Sequence, residues 1–115
     1  MSAQETSSPA TSGAEARCLL TLVLPLALEE AVLDLLQASP ELDAGYTVVP
    51  AQGLGAGATL SSVMEQVQGR ARRVLVQAVL KAADVPAVLA RLQTQIRSPQ
   101  VSYWVQALLA GGTLA

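Results

Sequence analysis

Residues Arg17–Ala38 read RCLLTLVLPLALEEAVLDLLQA, and the hydrophobic period changes in the middle of the stretch. Up to Leu24 the run is short and apolar in both alternating sets, Leu20, Leu22 and Leu24 against Leu19, Thr21 and Val23. That pattern predicts a strand over Arg17–Leu24 with both faces covered. Pro25 punctuates it. From residue 26 to 38, Leu28, Ala31, Val32, Leu35 and Leu36 fall at i, i+3, i+4, i+7 and i+8, the apolar stripe of a helix. Glu29 and Glu30 occupy its first turn, where the helix dipole favours acidic groups, and Ser39-Pro40 stops it.

The same alternation recurs downstream. Gly45–Gln52 (GYTVVPAQ) predicts a second strand, with Pro50 marking an edge position or a bulge because proline cannot donate to a ladder. Arg72–Lys81 (RRVLVQAVLK) predicts a third. Asp84 is an expected N-cap for a second helix carrying Val85, Val88, Leu89, Leu92 and Ile96, which ends before Ser98-Pro99. Gln100–Leu109 (QVSYWVQALL) predicts a fourth strand. Residues Thr59–Gln68 (TLSSVMEQVQ) fit either a helix capped by Gly69 or an outward extension of the third strand.

The order strand, helix, strand, strand, helix, strand implies an α+β domain of ferredoxin-like βαββαβ architecture. Two interleaved right-handed crossovers give a four-stranded antiparallel sheet with both helices on one face. Residues 1–16 (MSAQETSSPATSGAEA) show no apolar period and predict a disordered tail ahead of one domain over 17–115. The second sheet face then lacks a helix, yet no strand offers a cleanly polar face: Val74, Val76, Ala78 and Leu80 alternate with Leu75 and Val79, and Val101, Tyr103 and Val105 alternate with Trp104 and Leu108. With 51% hydrophobic and only 14% charged residues, the chain has more apolar surface than a small monomer can bury, so an oligomer with the open faces packed together is expected.

Composition excludes several functions. A net charge of −2 and a shortage of aromatics give nucleic acid neither an electrostatic footprint nor stacking platforms. The longest apolar run, Cys18–Leu28, is about half a membrane span, and its acidic flank, Glu5 and Glu15, does not suit a signal peptide. A cytoplasmic protein is expected, and one cysteine fits a reducing compartment. With no His there is no ordinary Ser-His or Cys-His pair, so catalysis is not expected. Val67-Gln68-Gly69 echoes the phosphate loop of acylphosphatases, but it precedes the third strand instead of following the first, and the chain has no Asn to position a water.

The residues of interest lie between the second and third strands. Gly53, Gly55 and Gly57 allow close backbone approach, and Arg70, Arg72 and Arg73 concentrate three of the seven basic residues in four positions. Such a turn with clustered guanidiniums can cradle phosphate or carboxylate. It reads equally as a flexible hairpin whose arginines pair with Glu65 or with a neighbouring subunit. No metal site is expected. Cys18 is the one soft ligand besides methionine, and a strand cysteine is ordinarily a small hydrophobe. The acidic residues Glu29, Glu30, Asp34, Glu41 and Asp43 read as a solvated face.

Taken together, CLLTLVLP, LEEAVLDLL, the GYT strand start, the Gly-rich turn, LSSVMEQVQGRARRV (Leu60–Val74) and SYWVQALLAGG resemble the PII-like superfamily of PII nitrogen-signalling and CutA divalent-cation-tolerance proteins. More narrowly, the chain is similar to short PII-like proteins whose genes accompany heavy-metal efflux pumps of the resistance-nodulation-division type. The resemblance implies a homotrimer with inward-facing sheets and no cofactor. It also implies a small anionic ligand, such as the adenine nucleotide that PII proteins bind between subunits at the base of this loop, and a membrane-transporter partner. The ligand set it implies here is Gly53, Gly55, Gly57, Gln66, Arg70, Arg72 and Arg73. The alternative is a CutA-like divalent-metal-binding protein. One departure stands out: the narrower family carries G-H-G in the turn, where this chain has Gly53-Leu54-Gly55.

Overall fold

A computed structural model describes residues 16–53 and 71–115. The expected tail, apart from Ala16, lies outside the described residues, as does the ambiguous segment 59–68. Strand β1 (Arg17–Pro25) runs into a 3₁₀ turn and helix α1 (Glu29–Gln37). Strands β2 (Thr47–Gly53) and β3 (Ala71–Lys81) follow, then a second 3₁₀ turn, helix α2 (Val85–Gln95) and strand β4 (Ser102–Ala107). All three strand pairings are antiparallel and the order is β2-β3-β1-β4. This is the expected ferredoxin-like arrangement.

Period-two alternation decides where the core sits. Leu20, Leu22 and Leu24 of β1 pair with Ala78, Val76 and Val74 of β3, and all six are buried. The same cluster takes in Val32, Leu35 and Leu36 of α1 with Val85, Val88 and Leu92 of α2, so both helices cover one sheet face. Ala31 is exposed, which makes the α1 stripe narrower than the sequence pattern suggests.

Element ends depart from expectation for local reasons. β2 begins at Thr47 instead of Gly45 because Gly45, at φ 95°, turns the chain and donates its N–H to the Leu42 carbonyl. Pro50 pairs with Val74 on an edge strand, where its missing N–H costs no ladder bond. Asp84 stands at the N-cap of α2 but makes no side-chain cap bond, since the preceding 3₁₀ turn already gives its backbone helical angles. β4 is shorter than expected: a turn at Ser98–Val101 precedes it, and its ladder with β1 ends at Cys18 opposite Ala107, followed by one bond from the Leu108 N–H to the Arg17 carbonyl.

The two helices are joined by a polar clamp that sequence periodicity does not reveal. Arg91 of α2 donates to both carboxylate oxygens of Glu41 at 2.8 and 2.7 Å and to Ser39 Oγ at 3.0 Å. Buried Ser39 in turn donates to the Leu35 carbonyl at the end of α1. Glu41 is therefore not part of a solvated acidic face, as the sequence suggested. The Arg91 guanidinium, helped by a backbone hydrogen bond, pulls its carboxyl down to about 2.

Candidate functional site

β2 and β3 pair to their ends, with Gly53 opposite Ala71. Residues 54–70 therefore leave and rejoin the sheet at one point. Gly55, Gly57, Gln66 and Arg70, with the rest of the Gly-rich turn, lie outside the described residues. Of the residues singled out in the sequence, Gly53, Arg72 and Arg73 are described, and they sit together at this end of the sheet.

Arg72 and Arg73 both line one cleft but reach it differently. Consecutive strand residues project to opposite faces, so Arg72 shares the helix-side face with Val74 and Val76. It is exposed and stands opposite Gln52. Arg73 is only 6% exposed and donates from Nη1 to the Gln100 carbonyl, across β1. It therefore fastens the start of the β4 segment to the sheet, a role its place in an arginine run does not suggest.

An open cleft of about 650 Å³ lies at this corner. Val48, Pro50 and Val74 form its sheet side, Leu26 and Glu29 its wall at the β1–α1 junction, and Gln52 and Arg72 its polar rim, with Arg73 also lining it. The strand–helix hinge builds this shape. β1 ends at Pro25, the 3₁₀ turn lifts the chain off the sheet, and β2 is left at the edge with no helix over it. A guanidinium and a carboxamide at the rim supply donors for an anion, and the apolar sheet side suits a flat ring or an aliphatic body. Gln52, Leu26 and Glu29 were missed from sequence. Gln52 was within reach, because strand pairing puts it opposite Arg72.

Among the described residues, no group of three or more Cys, Asp or Glu side chains is placed to hold a metal ion. Cys18 is a free thiol, half-buried in β1. No helix among the described residues is long and apolar enough to cross a membrane.

The profile of a family described as a protein of unknown function, DUF3240, matches residues 14–115. The chain belongs to the DUF3240 family. A crystal structure of a DUF3240 family protein from Shewanella baltica OS155 superposes with a TM-score of 0.69 at 19% identity, covering 86% of this chain and 97% of that one. CPII, a nitrogen regulatory PII-like protein from Thiomonas intermedia K12 solved with ADP, AMP and bicarbonate, gives 0.62 at 20% identity over 85% and 96% of the two chains. CutA from Synechococcus elongatus PCC7942 gives 0.59 at 18% identity over 81% and 77%. At these identities the likeness establishes the fold, and this DUF3240 chain has the fold of PII-like and CutA proteins. No curated protein matches it in sequence.

Proposed function

We propose that this DUF3240 chain is a PII-like regulatory protein, a homotrimer working in the cytoplasm without catalysis. In this reading it binds a small anionic ligand at the Arg72–Gln52 cleft and signals through residues 54–70 to a membrane transporter linked to metal efflux. The observation that carries the reading is the position of the cleft. Its polar rim lies where residues 54–70 leave and rejoin the sheet. A ligand held by Arg72 and Gln52 is therefore coupled to that segment through one strand end. A ligand that binds one state of the protein better than another shifts the population toward the state a partner recognises. The nucleotides and bicarbonate in the CPII structure suggest the ligand class: a phosphate or carboxylate anion, carried on an adenine nucleotide.

Titration calorimetry of the full chain with ADP, AMP and bicarbonate tests this directly. Saturable binding of at least one is expected, and no heat with any of them removes the ligand reading. The likeness to CutA supports a second reading, a CutA-like divalent-metal-binding protein. There, the purified chain should retain copper or zinc, and Cys18→Ser should lower that retention.

A further inference from the structure

The sheet face opposite the helices is laid out in three central rows. Val49, Leu75, Val23 and Ser102 form one; Thr47, Gln77, Thr21 and Trp104 the next; Val79, Leu19 and Gln106 the third. None of these residues is charged. The charged residues of this face stand at its two ends, Arg73 at one and Arg17 with Lys81 at the other. A face neutral through its middle can meet a copy of itself without like-charge repulsion.

The middle row is asymmetric. At the β4 edge Trp104 stands 45% exposed, with an indole N–H to donate. Toward the β2 edge, beyond buried Thr21, lies a hollow of about 400 Å³ lined by Leu19, Tyr46, Thr47, Gln77 and Val79. Gln77 reaches Thr21 only through a long Nε2–Oγ1 contact of 3.4 Å, and that contact makes no use of its amide carbonyl. Knob and hollow sit two to three strand spacings apart, roughly 10–14 Å. A tryptophan fixed at one edge of a sheet cannot fill a hollow at the other edge of the same sheet.

We infer that Trp104 of one copy of this chain seats in the hollow beside Gln77 of the next, its indole N–H donating to the Gln77 carbonyl. The inference rests on the oligomeric reading above and adds the contact that directs it. A knob and a hollow at opposite edges make a heterologous interface, in which each copy gives one and receives one. Such contacts build a closed ring when the rotation between copies closes. The polar row supplies register, because a slip along the face would leave the indole N–H and the Gln77 carbonyl unpaired among apolar side chains.

Trp104 is the only tryptophan, so its fluorescence reports the contact without a label. For the assembled full chain the emission should be blue-shifted and shielded from iodide, and dilution through dissociation should reverse both. Thr47→Phe fills the hollow from an exposed position and leaves the core intact. It should restore quenching and weaken assembly about tenfold or more by sedimentation equilibrium. Trp104→Ala should weaken assembly similarly, and the double variant should be no weaker than either single one. An assembled protein whose Trp104 is quenched as freely as tryptophan in water, or a Thr47→Phe chain that assembles normally, overturns this contact and leaves the oligomer standing. A wild-type chain that sediments as a monomer overturns both.

Discussion

Leu24 and Leu26 are two residues apart on either side of Pro25, and truncating them to alanine should have very different effects. Leu24 is 0% exposed, pairs with Val74 and lies in the central cluster, whereas Leu26 is 42% exposed on the wall of the cleft. Leu24→Ala removes buried methyl groups and leaves a cavity, at a cost of about 2–5 kcal/mol. Leu26 gives up only part of its burial, so its truncation should cost about 1 kcal/mol or less. For a domain of roughly 100 residues each kcal/mol lowers Tm by about 4 °C, so Leu24→Ala should melt roughly 8–20 °C lower and Leu26→Ala within about 4 °C of wild type. Circular-dichroism melts at one fixed chain concentration make the comparison, because assembly adds a concentration-dependent term. Equal shifts for the two variants would refute the placement of the strand–helix hinge, and with it the cleft.

The Glu41–Arg91 clamp makes stability depend on acid. Because the Glu41 carboxyl is lowered from an ordinary 4.5 to about 2, its contribution is full above about pH 4.5 and is lost as pH falls toward 2. Wild type should therefore melt above Glu41→Gln at pH 7 and the two should converge near pH 2, while a gap independent of pH contradicts the assignment. Arg97 holds φ 47° just past α2, a left-handed conformation that favours glycine. Arg97→Gly should stabilise the chain by up to about 1 kcal/mol in urea unfolding.

Much of the fold was legible because the deciding signals are local. Leu20, Leu22 and Leu24, then Val32, Leu35 and Leu36, announce strand and helix within one stretch of sequence, and all six are buried. Pro50 marked an edge position or a bulge because proline has no ladder donor, and it lies on the edge strand β2. The clamp was not legible, since Ser39 and Arg91 lie 52 residues apart and no periodicity links them. The candidate site was legible in part. An arginine run is visible as composition, and both Arg72 and Arg73 line the cleft, but strand alternation leaves Arg72 exposed at its rim and Arg73 buried with a bond to the Gln100 carbonyl. Glu29 was read as a dipole-favoured residue of the first helical turn, which it is, and its second position on the cleft wall depends on a tertiary junction. Gly55, Gly57, Gln66 and Arg70 lie outside the described residues.

In the proposed function the cleft rimmed by Arg72 and Gln52 holds the anion. Its most direct test is calorimetric titration of ADP into wild type and Arg72→Ala, at equal salt and with matched melting profiles. Arg72 is exposed, so its removal should leave the fold intact. Losing a charge-assisted hydrogen bond of about 1.5–3 kcal/mol should weaken binding roughly 10- to 150-fold. An Arg72→Ala chain that binds ADP within about threefold of wild type, under 1 kcal/mol, would show that Arg72 does not hold the anion.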